Sequence, residues 1–196
     1  MARPSVEPQR RTALMNAAIK AIHRRGSLEV TMSEIASHAG VSPALAHHYF
    51  GGKDQLIVAT MRHLLSELRK KTIDELHKAR SPRQRVSAVI AACFSPEQFE
   101  QETVTTWLTF YHYAQSSDAA ARLLSVYFRR LNSNLAAALR ELVATQHAGE
   151  IAEGAAALID GLYLRQGMKH APPSPDSAIR QVETYIDNAL AGFANT

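Results

Sequence analysis

The sequence predicts an all-α protein of about nine helices, with a small basic helix-turn-helix module at the N-terminus and a larger helical body behind it. Three observations carry this. Apolar residues recur at helical spacing from end to end, and no sustained alternating run bounded by turn residues marks a strand. All eight prolines can be placed outside helix interiors, and four follow a serine: Ser42-Pro43, Ser81-Pro82, Ser95-Pro96 and Ser174-Pro175. Such a pair starts a helix, because the serine oxygen accepts an orphan amide and proline has none to leave unpaired. Gln84 and Gln98 stand three residues after two of these serines, and Glu34 three after Thr31, the spacing of a capping box.

The elements follow in order. A first helix is expected over about 8–25, with Leu14, Ala18, Ala21 and Ile22 on one face and Gly26 as its stop. Thr31 opens a short helix over 31–38 that ends before Gly40, and Ser42 opens another over 42–49. A longer helix begins near Lys53 and carries Ile57, Met61, Leu64 and Leu68 at i, i+4, i+7 and i+11. Helices are expected to start at Pro82 and at Pro96, the second continuing through Trp107 to Ala114. The next covers about 118–146 with Leu124, Phe128, Leu131, Leu135 and Leu142 in phase. The last two cover 149–168 and 175–193, separated by a break at His170–Ser174.

The 196 residues carry a formal net charge of +4, all of it near one end. Up to Lys53 there are seven Lys and Arg against three acids, while the rest of the chain holds 15 of each sign. Four of the nine histidines (His23, His38, His47, His48) lie in the basic part. A localised basic end points to a polyanion, nucleic acid first, although a charge of this size is also that of an ordinary solvated surface. A hydrophobic fraction of 46% suits a globular protein. No apolar run approaches the roughly 18 residues of a membrane span, and none follows the basic start as in a secretory signal. Cys93 is the only cysteine, so neither an internal disulfide nor a multi-thiolate metal site can form, and a cytoplasmic setting fits.

Enzyme motifs are missing. There is no Gly-x-Ser-x-Gly elbow and no His-Glu-x-x-His, and Gly51-Gly52-Lys53 lacks the upstream glycine of a P-loop. The adjacent His47 and His48 face different sides of a helix and make a poor metal pair. No catalytic residue, resident metal or cofactor is expected.

The two short helices joined by Gly40-Val41 have helix-turn-helix spacing, the second short enough to lie in a major groove. Around them stand Arg10, Arg11, Thr31 at a helix N-terminus, and Ser42, Pro43, Ala44, Leu45, His47, His48, Tyr49 and Lys53. Hydroxyl, imidazole and ammonium donors suit phosphate positioning, and Ala44 and Leu45 can touch thymine methyls. The plainer reading is core packing for the aromatics and a solvated face for the cations; Phe50 is assigned to the core outright.

From Thr31 to Leu56 the combination of Thr31, Glu34-Ile35-Ala36, Ala39-Gly40-Val41-Ser42, Tyr49-Phe50, Lys53 and Leu56 resembles the DNA-binding domain of the TetR family of repressors. The segments Pro8 to Arg11, His48 to Asp54, Ala59 to His63, Trp107 to Tyr111, Arg129 to Leu135 and Ala157 to Arg165 resemble the choline-responsive repressors of glycine-betaine synthesis, the BetI group. TetR ligand domains usually diverge strongly, so agreement there carries more weight than agreement in the reading head. The resemblance implies a DNA-binding domain over 1–53 and an effector-binding and dimerisation domain over 54–196. It also implies a homodimer through the last two helices, a palindromic double-stranded operator, and choline or a related quaternary ammonium compound as inducer.

The residues of the second domain can be read independently. The helix over 149–168 is apolar on two faces, one with Ile151, Ala155, Leu158 and Leu162, the other with Ala156, Asp160, Tyr163 and Gly167. Asp160 stands among apolar neighbours, where a carboxylate needs a partner. A structural salt bridge or hydrogen bond is one answer, and a cationic ligand is the other. Trp107, Phe110 and Tyr111 lie on one face of their helix, a stripe that serves a core as readily as a pocket. A quaternary ammonium has no N–H to donate and is held by aromatic faces at about 0.5–2 kcal/mol per ring. Trp107, Phe110, Tyr111, Asp160 and Tyr163 are therefore the candidate effector residues, with Phe94 and Tyr127 behind them. Two other functions remain open at this point: a TetR-type regulator of drug efflux answering to lipophilic cations, and a non-specific DNA-coating protein with no effector.

Overall fold

The computed structural model of the chain describes residues 6–168 and 173–194. The basic start over 1–5, with Arg3 and Pro4, lies outside them, as do residues 170–172 of the break expected between the last two helices. Among the described residues there are ten α-helices and no strand: α1 (Glu7–Arg25), α2 (Met32–His38), α3 (Pro43–Phe50), α4 (Lys53–Lys78), α5 (Pro82–Cys93), α6 (Pro96–Phe99), α7 (Gln101–Tyr113), α8 (Asp118–Leu139), α9 (Thr145–Gly167) and α10 (Pro175–Ala194).

The first three helices enclose Leu14, Ile22, Val30, Ile35, Ala46 and Phe50, all buried. Gly26 ends α1 in the left-handed region at φ 66°, with its N–H donating to the Ile22 carbonyl at 2.8 Å. Gly40, at φ 65°, makes the turn between α2 and α3. Thr31 caps α2 through a complete capping box: its hydroxyl accepts from the Glu34 amide at 3.1 Å, and the Glu34 carboxylate accepts from the Thr31 amide at 3.2 Å. Ser42 caps α3 at the Leu45 amide, 3.2 Å away.

At 26 residues α4 is about 39 Å long. Its first half packs Leu56, Ile57 and Met61 into the head, and its second half lies on α5 and α8. The body is closed by α7, α8 and α9, with α10 against α9 and α5. Arg83 of α5 ties α10 down by bonding Glu183 and, at 2.7 Å, Asp187.

Five expectations from the sequence need correction. The helix expected from Pro96 to Ala114 is two helices, broken at Glu100, which is extended at ψ 153°. The break holds because side chains satisfy the freed carbonyls: Thr103 Oγ1 donates to Glu97 O at 3.0 Å, and Gln166 Nε2 to Phe99 O at 3.3 Å. Ser95 accordingly makes no side-chain cap, so the box expected with Gln98 is absent. The box expected at Ser81 is half formed: Ser81 caps Gln84, whose side chain instead accepts from the Arg80 amide at 2.8 Å. The helix expected to reach 146 ends at Leu139, and the next starts at Thr145; Leu142 therefore lies exposed in the turn. The apolar phase of α8 runs through Tyr127, which is buried, and leaves Phe128 exposed.

Gly154 sets the distance between α9 and α10. A Cβ there would lie 1.9 Å from the Tyr185 hydroxyl and 2.7 Å from its Cζ. Gly154→Ala gains about 1 kcal/mol of helix propensity and loses about 1–3 kcal/mol to overpacking. The expected net change is a loss of about 1 kcal/mol, or roughly 3 °C in Tm. Thermal denaturation checks it, and a raised Tm would show that Tyr185 swings aside freely.

Candidate nucleic-acid interface and effector site

Ser42, Pro43, Ala44, His47 and His48 are all exposed on α3, while Leu45 and Tyr49 are half-buried beside them. Helical spacing forces this division, because Ala46 and Phe50 face the core. His47 Nδ1 lies 3.1 Å from the Gly51 carbonyl; donating there leaves Nε2 outward as an acceptor in the neutral ring. Arg10 and Thr31 are exposed as well.

Two of the expected DNA contacts are partly turned inward. The Arg11 guanidinium donates to the Tyr49 carbonyl at 2.5 Å and lies 4.5 Å from the Phe50 ring centroid, tying α1 to the end of α3. The Lys53 ammonium donates to the Leu28 carbonyl at 3.2 Å. Arg11 thus fixes the end of α3, and Lys53 the segment before α2. Sequence reasoning missed the links that set α2 against α1: Arg25 bonds Glu34 at 2.9 Å, and Arg24 donates to His38 Nε2 at 2.6 Å. The Arg25 guanidinium and the Thr31 amide hold the Glu34 carboxyl below its ordinary range.

In the body, α7, α8 and α9 bring a carboxylate and a group of rings together. Asp160 Oδ1 accepts from the hydroxyls of Tyr111 at 3.2 Å and Tyr127 at 3.0 Å. Trp107 lies 5.4 Å from Tyr127 and 6.2 Å from Tyr111, ring centre to ring centre. Phe128 stacks on Tyr111 at 6.2 Å and borders Tyr127 at 5.2 Å, covering both from the exposed side. Asp160 forms no ion pair among the described residues. Burial pushes its carboxyl above the usual carboxylate range, and the two hydroxyls oppose that shift. Burial, with the nearby Asp160 charge, also raises the phenols of Tyr111 and Tyr127, which therefore stay protonated as donors.

The sequence named Trp107, Tyr111 and Asp160 for this cluster, and the structure brings these three together. Tyr127 supplies the third ring. Tyr163 packs instead with Phe94 and Phe99, at 5.9 and 5.3 Å, and its hydroxyl donates to the Cys93 carbonyl. Phe110 is fully buried edge-on to Trp107, 6.3 Å away. The buried thiol of Cys93 is pushed up to about 12, out of reach of ordinary thiolate chemistry.

Residues 14–60 match the bacterial regulatory proteins of the tetR family, and residues 82–191 match the C-terminal domain of BetI-type transcriptional repressors. The chain belongs to the TetR family, in its BetI-type branch. It is 53% identical over 192 residues to the HTH-type transcriptional regulator BetI of Brucella anthropi, covering 98% of this chain and 99% of that one. It is 54% identical over 192 residues to the BetI of Brucella canis, covering 98% and 97%. A transcriptional regulator from Saccharomonospora viridis, solved in complex with choline, shares the fold at a TM-score of 0.79 and 22% identity, covering 92% of this chain and 96% of that one. This BetI-type protein is thus a DNA-binding repressor of choline-to-glycine-betaine genes and not an enzyme. Among the described residues no helix is long and apolar enough to cross a membrane.

Proposed function

We propose that choline is the inducer of this repressor and that its trimethylammonium group binds at Asp160, against the faces of Trp107, Tyr111 and Tyr127. One observation carries the reading: a carboxylate largely withdrawn from water, held by two tyrosine hydroxyls and surrounded by aromatic rings, without a cation among the described residues. An unpaired buried charge is costly, and a quaternary ammonium supplies the missing charge while the rings supply cation–π contact.

The division of labour falls near residue 53. Residues 1–53 read DNA through Arg10, Thr31 and the exposed face of α3, with Arg11 and Lys53 positioning that face; residues 54–196 bind effector and partner. Two copies pair through α9 and α10 and place two reading helices on a palindrome, in the cytoplasm where the DNA is. The route from effector to head is physical. Trp107 and Tyr111 stand on α7, and Thr105 of the same helix shares a 3.1 Å hydrogen bond with His23 of α1. Choline shifts the head only to the extent that it binds one arrangement of α7 better than the other.

Calorimetry with choline, betaine aldehyde and bulky cationic dyes, alongside operator titration in their presence, tests the reading. Choline is expected to bind selectively and to lower operator affinity. Preference for the dyes would favour the drug-efflux alternative, and binding to random duplex as tight as to operator at matched salt would remove the repressor mechanism.

A further inference from the structure

A cavity of about 320 Å³ opens between α4, α5 and α8, distinct in character from the Asp160 cluster. That volume lies at the small end of the roughly 300–1,000 Å³ usual for ligand sites. Its walls are mostly apolar, with Leu68, Ile73 and Leu76 of α4, Val89 of α5 and Leu131 of α8, and Thr72 and Asn134 add neutral polar groups. Its only charged lining groups are Arg69 and Arg130, one on each of the two long helices. Both are exposed, and neither guanidinium makes an ion pair or hydrogen bond among the described residues. No acidic side chain lines the space, so a bare quaternary ammonium would meet two like charges and no counter-ion. Tyr127 is the shared wall: its ring borders the cavity and its hydroxyl holds Asp160.

An apolar chamber with two free guanidiniums has the complementary shape and charge of an amphipathic anion. We propose that it is a second ligand site, for a short- to medium-chain fatty carboxylate. The tail lies along the leucine and valine walls, and the carboxylate sits between Arg69 and Arg130, whose planar forks match its two oxygens. Because α4 supplies half of the wall and begins at Lys53 beneath the reading head, occupancy bears on the helix that joins the two functions.

The test is a titration of the full chain with octanoate below its micelle concentration, followed by calorimetry and by the fluorescence of Trp107, the sole tryptophan, whose ring centre is 5.4 Å from that of Tyr127. Saturable binding is expected at one octanoate per chain. Affinity should fall about fourfold for each methylene removed on going to hexanoate. With choline present in excess to fill the Asp160 site, octanol and octyltrimethylammonium should bind at least about tenfold more weakly than octanoate, because each lacks the charged hydrogen bonds. Arg69→Gln with Arg130→Gln should lose octanoate by a similar factor and keep its choline affinity. Absence of saturable binding, equal binding of the three octyl head groups, or an unchanged octanoate affinity in the double variant would each overturn the proposal. The head-group series needs no substitution, and failure of choline to bind would leave the octanoate result standing.

Discussion

Asp160→Asn should weaken choline binding by about 30- to 4,000-fold, the range for removing one partner of a buried charge pair. It should leave the unliganded protein at least as stable as before. Asparagine keeps an oxygen for the two tyrosine hydroxyls, so the geometry of the cluster survives and only the charge is lost. The stability effect follows from the direction of the Asp160 shift. Burial raises the carboxyl in the folded chain, so between its unfolded and folded values the native state holds the extra proton. Stability from this group is complete below the unfolded value and falls as pH rises through the folded one. At neutral pH the ionised form therefore destabilises the empty protein, and asparagine removes that cost. Binding has the opposite dependence. Choline prefers the ionised carboxylate, so its affinity should climb as pH rises through the raised Asp160 value and level off above it. The variant should show no such climb. Calorimetry across acid to neutral pH, with thermal denaturation of the empty protein, measures both. An Asp160→Asn protein that binds choline as tightly as the parent would place the effector elsewhere.

The head was legible because its signals are local. A capping residue, a glycine turn and a proline start each act within a few residues, and Thr31, Gly40 and Ser42 do what their spacing predicted. Asp160 was legible for a related reason: an acid in an apolar helix face has to be explained by something. Which rings would face it was not. Tyr127 and Tyr163 both carry a hydroxyl on a buried face, and only the packing of α8 against α7 and α9 decides that Tyr127 reaches Asp160. The phase of α8 is ambiguous in sequence because Tyr127 and Phe128 are adjacent aromatics; one-residue slips are the natural error of a 3.6-residue period. The break at Glu100 depends on Gln166, 66 residues away, and no local rule contains it. The inward turn of Arg11 and Lys53 likewise depends on carbonyls that only the folded chain brings near.

Leu164→Glu combined with Met168→Glu should convert the protein to a folded monomer and lower operator affinity by roughly a thousandfold or more, toward non-specific binding. Along α9 and its C-cap the exposed residues Ala157, Gly161, Leu164 and Met168 follow one another at i, i+4, i+7 and i+11, an apolar stripe on a helix whose opposite face is already packed. Leu164 is 48% and Met168 69% exposed, so charges there cost the isolated fold little. At Gly161 a Cβ would meet nothing within 4 Å, which leaves room for a second helix to approach closely. The effect on DNA should be large because one head is weak. The excess of positive charge before residue 54 is only +4, and Arg11 and Lys53 both donate to the protein's own carbonyls. A single head then makes few phosphate contacts, and tight binding needs two heads held roughly 34–36 Å apart on successive major grooves. Sedimentation and operator titration on the same sample separate the possibilities. A variant that remains dimeric moves the interface away from this stripe, and a monomer that binds operator as tightly as the parent removes the need for two heads.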